Sequence, residues 1–169
     1  MKLLNKLSHP LIIWLLIVPL CWINNLLPNN HVLWVSFQCW ALYFLVGATL
    51  QGGLKAALNY FCGLIAAVAI FEVAGLTGAA LGPWTLSFAV GLIAALIVLI
   101  AESVKSLDMV PAWFIGAGTF FGYAASTAGA STGYVLSIFN IFISLIFGFV
   151  NGWLTIWLYG KYAAWAKNK

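Results

Sequence analysis

Gln51–Ile65 reads QGGLKAALNYFCGLI. Most of this stretch is apolar enough for lipid. Yet it opens on an amide, two glycines and Lys55, and it carries Asn59 about one helical turn further in. Read as the entrance of a membrane helix, the pattern has a physical logic. An ammonium group can stay in interfacial water while its aliphatic stem lies in lipid. The Gly-Gly step supplies a tight turn into the helix. Asn59 is then a polar group inside the bilayer, where such groups face a bundle interior or a cavity.

The rest of the chain supports lipid as the solvent. Of 169 residues, 64% are hydrophobic and 6% charged, and the mean hydropathy is +1.08. A soluble domain of this size leaves too much surface exposed to hide such a composition. A crossing helix needs about 20 mostly apolar residues. The charge-poor stretches predict six, over 11–27, 32–50, 55–75, 84–101, 110–126 and 134–159. Pro19 is expected to kink the first. Pro28-Asn29-Asn30-His31 reads as a turn, and the segments 75–83, 102–108 and 127–133 read as the later connections. The sixth span is longer than a crossing needs. The expectation is therefore an all-α membrane protein, one transmembrane domain over 1–169. Lys2 and Lys6 precede an apolar run with no small-x-small cleavage site, so this run reads as a retained first helix.

With six crossings, Lys2, Lys6, Lys55, Lys105, Lys161, Lys167 and Lys169 all fall on one side. The positive-inside rule then places both termini in the cytoplasm.

Thr132–Ile146 (TGYVLSIFNIFISLI) aligns with Gln51–Ile65. Gly52 falls on Gly133, Asn59 on Asn140, Phe61 on Phe142, Leu64 on Leu145 and Ile65 on Ile146. Each window opens the third span of a three-span half, giving possible halves 11–75 and 84–159. Three is odd, so two such halves would be inverted repeats, an architecture common among transporters. Chance matching of apolar sequence is the plain alternative.

The polar candidates for a solute path are Gln38, Asn59, Glu72, Thr119, Asn140 and Asn151. For each amide the competing role is a bond between helices. Glu72, the one acid inside an expected span, either reaches water at the non-cytoplasmic end or stands as a vestibule charge biasing access toward cations or neutral solutes. In the fifth span, Gly118, Gly122 and Ser126 recur every four residues, with Gly116 beside them. This small-residue ridge is expected to pack against a neighbour. The alternative is a slim pore border with Phe120 as a constriction. Seven of the nine tryptophans mostly fall toward span ends or follow the last span, and an interfacial belt explains most of these; Trp40 and Trp113, near a segment centre or start, are left open. Cys21, Cys39 and Cys62 sit in apolar stretches with no metal spacing and read as buried hydrophobes.

The scattered lysines form no nucleic-acid footprint. No H-E-x-x-H, G-x-S-x-G or nucleotide-binding motif occurs, so neither an intramembrane enzyme nor a primary pump is expected, and no cofactor or metal is implied.

QGGLK (Gln51–Lys55), VPAWFIGAGTFFG (Val110–Gly122) and LIFGFVNGWLTIWL (Leu145–Leu158) together resemble the YcdZ-like family of small bacterial inner-membrane proteins, a domain of unknown function. Leu50 stands where that pattern has proline, and Trp113 where it has a smaller residue. The resemblance implies a multi-span helical protein of the bacterial inner membrane and supplies no substrate. The expected function is a channel or facilitator for a small, uncharged polar solute such as urea, an amide, ammonia or a small weak acid. A chain this short is expected to form a homo-oligomer. The alternative is a membrane scaffold or accessory subunit that transports nothing.

Overall fold

The computed structural model describes residues 2–27, 32–126 and 129–168, with side chains from Ser8 onward. The expected turn at Pro28-Asn29-Asn30-His31, Thr127 and Ala128 in the expected 127–133 connection, the side chains of Lys2 and Lys6, and Lys169 lie outside the described residues.

Every regular element among the described residues is helical: α1 (Lys2–Leu26), α2 (Leu33–Leu45), α3 (Leu50–Leu81), α4 (Thr85–Ser103), α5 (Val110–Ala125) and α6 (Tyr134–Lys167). A 3₁₀ turn, Gly82–Trp84, joins α3 to α4 with no residue outside helix. The uninterrupted helical runs therefore number five, not the six separate spans expected. The expected connection at 75–83 fails because helix continues through Gly75 and Gly78 to Leu81. The direction changes instead at Gly82, which takes φ +51°. Among the described residues, three runs are long and apolar enough to cross a membrane: Ser8–Leu26, Leu50–Ser103 and Tyr134–Lys167. At 13 and 16 residues, α2 and α5 are shorter than the expected spans.

The Gly-Gly step is not the turn it was expected to be. Gln51, Gly52 and Gly53 are already inside α3. The turn falls four residues earlier, where the Gly47 amide donates to Phe44 O and the Ala48 amide to Tyr43 O. This is a Schellman ending, with Gly47 left-handed at φ +89°. Thr49 then caps α3, its hydroxyl accepting from the Gly52 amide at 3.1 Å. A Cβ at Gly52 would strike the Val46 carbonyl, and one at Gly53 would press on the Tyr43 ring. The two glycines let α3 start tight against the turn.

The chain folds as two compact units, Met1–Gly53 with Asn140–Lys169, and Leu54–Phe139. They cut the chain differently from the halves 11–75 and 84–159. In the first unit, α2 and α6 run in the same direction. Ser144 Oγ accepts from the Val32 amide at 2.7 Å, and Ser36 Oγ donates to Ser144 O at 2.8 Å. Further along, Gly148 lies on the Ser36–Trp40 backbone and Gly152 on the Tyr43 ring. The His9 ring lies 3.8 Å from the Tyr159 ring, so the start of α1 sits beside the far part of α6.

In the second unit, α3 and α5 also run in the same direction and nearly touch. A Cβ at Gly63 would overlap the Trp113 carbonyl, and one at Gly116 would overlap the Tyr60 carbonyl. Small residues allow this approach in lipid, where packing and hydrogen bonds drive helix association. On α4 only Thr85, Ala89, Ile97 and Ala101 are buried, a stripe at four-residue spacing. Its remaining faces are apolar and exposed, including Leu92, Leu96 and Leu99. An exterior of that kind identifies a membrane protein.

The glycine ridge needs a correction. Gly116 is buried in the α3 contact, but Gly118 and Gly122 are exposed, and a Cβ on Gly118 would meet nothing. The packed face of α5 is Ala112, Trp113, Gly116, Ala117, Phe120 and Tyr123. Gly116→Leu should therefore lower stability by about 1–3 kcal/mol through overpacking. Gly118→Leu should leave it unchanged. Thermal unfolding of the purified protein in detergent checks both.

Candidate functional site

Asn59 is fully buried on α3, and its whole amide is used. Nδ2 donates to Lys55 O at 2.7 Å and Ser106 O at 2.8 Å. Oδ1 accepts from the Met109 amide at 3.1 Å and the Trp113 indole N–H at 2.8 Å. The same indole also reaches Leu107 O at 3.0 Å. These bonds pin the 104–109 connection against α3. Beside them Lys55 Nζ meets Asp108 Oδ1 at 2.6 Å. That pair is partly exposed and contributes about 0–1 kcal/mol. An amide with two donors and two acceptor lone pairs all engaged has nothing left to offer a passing solute. The geometry gives Asn59 the role of clamp.

The other candidates divide between the two units. Gln38, Asn140 and Asn151 lie in the first. Gln38 is half-buried, and Asn140 and Asn151 are buried. Asn151 Nδ2 donates to Phe147 O at 2.8 Å, one turn back on its own helix. Its carbonyl accepts from Thr155 Oγ1, which accepts in turn from the Trp40 indole at 3.1 Å. Ser144 Oγ donates to Asn140 O at 2.8 Å. Trp40 and Trp113, the two tryptophans left open, are buried; the other seven are exposed.

Glu72, Thr119 and Phe120 lie in the second unit, and here the structure brings side chains together. Phe120 is almost fully buried, as is Thr119, whose hydroxyl donates to Ile115 O at 2.8 Å. The rings of Phe71, Phe120 and Tyr134 form a triangle, with centroids 6.2 Å apart for Phe71–Phe120, 6.4 Å for Phe71–Tyr134 and 6.1 Å for Phe120–Tyr134. Phe121 meets Phe71 edge-on at 5.2 Å. The three rings form one side of a cavity of about 250 Å³. Ala124, Gly129, Ala130, Thr132 and Ser137 complete it. The Tyr134 hydroxyl neighbours the exposed Glu72 carboxylate. Gly129 is required at this turn because a Cβ would strike the Tyr123 carbonyl.

This pocket lies at the opposite end of the unit from the Asn59 clamp. Lys55 and Glu72 are separated along α3 by about 25 Å of helix rise. Tyr134, Phe71 and Ser137 were not among the sequence candidates. The one available signal was an aromatic neighbour, Phe71, beside the lone acid of the span. A second cavity of about 260 Å³, lined by Cys62, Ile65, Ala66, Ile93, Ile97 and Trp113 among others, is almost wholly apolar and suits hydrocarbon.

Residues 11–160 match the model of a family described as "Protein of unknown function (DUF1097)". No curated protein and no solved structure matches the chain.

Asn59→Leu should strand the Met109 amide and weaken the hold on Trp113, at a cost of about 1–3 kcal/mol. A lowered melting temperature and faster amide exchange over 104–109 are expected, measured by thermal unfolding and hydrogen exchange in detergent.

Proposed function

The chain belongs to the DUF1097 family of proteins of unknown function, and from its own geometry we propose that it is a multi-pass channel or facilitator for a small polar solute, held in the pocket lined by Phe71, Phe120 and Tyr134. The observation that carries this reading is the pocket itself. In a chain that is mostly apolar, it is a cavity of small-molecule size with hydroxyl and aromatic lining, next to the one acid of α3. Urea, a short amide, ammonia and the neutral form of a small weak acid all suit its size.

The arrangement of each unit supports the inverted repeat that such a reading favours. The shift that sets Gln51 on Thr132 also carries Gly63 to Ser144, Val32 to Trp113 and Ser36 to Ala117. In the second unit Gly63 meets Trp113 and Ala117; in the first, Ser144 meets Val32 and Ser36. The same shift brings α1, α2 and α3 onto α4, α5 and α6. The first unit is then made of α1, α2 and α6, and the second of α4, α5 and α3, so each half lends its third helix to the other's pair. We take the proposal to include six crossings with both termini cytoplasmic in a bacterial inner membrane, as the YcdZ-like resemblance implies. The parallel pairs α2/α6 and α3/α5 and the His9–Tyr159 contact support that count. A homo-oligomer is part of the same reading, since a chain this short gains the bulk of a pore by assembly.

The second reading, a scaffold or accessory subunit without transport, is favoured by one observation: the Asn59 amide is consumed inside the protein. Osmotic shrink–swell of proteoliposomes separates the two. Faster equilibration than in empty liposomes is expected for at least one small polar solute. Ala130→Trp, at an exposed position on the pocket wall, should cut that flux at least several-fold with the melting temperature unchanged. Permeability equal to empty liposomes for every solute tested would favour the scaffold.

A further inference from the structure

The pocket at the Glu72 end has chemistry that selects among small solutes. We infer that it is a binding site for an ammonium group, either ammonium itself or a small alkylammonium. The inference rests on the reading of this pocket as a binding site and not on passage across the bilayer.

The first argument is the aromatic wall. Phe71, Phe120 and Tyr134 have centroids mutually 6.1–6.4 Å apart, and the Phe71 and Tyr134 planes lie within 14° of parallel. Ring faces carry the negative part of the aromatic quadrupole, which attracts cations held within about 6 Å. The lining also includes Ala124, Gly129 and Ala130, small residues that leave room for a ligand beside the rings.

The second argument is charge. Glu72 is the acid at this end of the unit, and its carboxylate neighbours the Tyr134 hydroxyl. Among the described residues no ion pair involves Glu72, and Lys55 on the same helix is about 25 Å away and paired with Asp108. Glu102, Lys105 and Asp108 lie at or beyond the other end of α4, in or beside the 104–109 connection. Within this unit the charge beside the pocket is therefore negative, which favours a cation over an anion.

The third argument is hydrogen bonding. The lining carries the hydroxyls of Thr132, Tyr134 and Ser137, and Ser137 Oγ lies 3.5 Å from the Thr132 carbonyl. Oxygen acceptors beside an aromatic wall suit N–H donors that carry positive charge. The ammonium could come from a free amine or from the headgroup of an ethanolamine lipid, since the exposed Glu72 stands about 25 Å along α3 from the Lys55 interface.

The test measures binding, so it can fail independently of the transport reading. The full chain in phosphatidylglycerol nanodiscs is titrated calorimetrically with methylammonium and tetramethylammonium, and with methanol and tert-butanol as neutral counterparts. Saturable binding of at least one ammonium probe is expected, with the neutral counterparts at least tenfold weaker. Glu72→Gln and Phe71→Leu should each weaken the ammonium probe roughly tenfold. Loss of probe binding when phosphatidylethanolamine is added would assign the site to the lipid headgroup; retained binding would assign it to a free amine. No saturable binding of either ammonium to the wild-type protein overturns the inference, as does equal binding of the neutral counterparts. Because that comparison uses the wild-type chain, it decides the matter even if a variant fails to fold.

Discussion

Two glycines set the distance on which the Leu54–Phe139 unit depends. Gly63 faces the Trp113 carbonyl and Gly116 faces the Tyr60 carbonyl, so α3 and α5 meet backbone to backbone. In lipid there is no hydrophobic force to hold them there; close packing and hydrogen bonds must do it. At this separation Asn59 can reach past its own helix to Ser106, Met109 and Trp113, and Phe71 can lie against Phe120 and Phe121. The other unit reaches the same result through Gly148 and Gly152 of α6, which pack against α2, reinforced by the Ser36–Ser144 bond. A Cβ at either crossing would separate the helices and remove the polar contacts together with the packing.

The class of protein was legible because composition alone forbids an aqueous exterior, and the exposed leucines of α4 agree with it. The partners of Trp40 and Trp113 were not legible: nothing in the sequence pairs one with Thr155 and the other with Asn59, and both bonds need the packed helices to be seen. What spacing could not supply was the direction of a helix face. Gly118 and Gly122 have the four-residue period of a packing ridge, yet the contact runs through Gly116, about 160° around the helix from Gly118. The turn before α3 was misplaced for a related reason. Two adjacent glycines attract attention, whereas the positive φ angles fell to Gly47 and Ala48, just past the end of α2. The continuous run through 75–83 was hidden because Gly75 and Gly78 look like breakers, while in an apolar medium unsatisfied peptide groups cost enough to keep helix going.

Polar groups inside this chain are mostly absorbed by its own backbone. Thr119, Ser144, Asn151 and Thr155 each bond a carbonyl one turn back, and Asn59 ties down a whole connection. Counting amides in apolar sequence therefore overstates how many are available to a solute. The pocket was invisible for the complementary reason. Phe71 and Tyr134 are far apart in sequence and unexceptional alone, and they gain meaning only when α3 and the start of α6 place them in one unit with Glu72.

The order in which the two units occur along the chain has a consequence for biogenesis. Leu54–Phe139 is contiguous and encloses its own partners, while the other unit needs Asn140–Lys169 to complete the face of α2. During synthesis the inner unit has all its residues before the ribosome has made most of α6. The N-terminal hairpin must wait, with Ser36 and Trp40 unpartnered by α6, until the last helix is released. Maturation is thus nested, and a nascent chain halted before residue 140 would hold one finished unit and one still open.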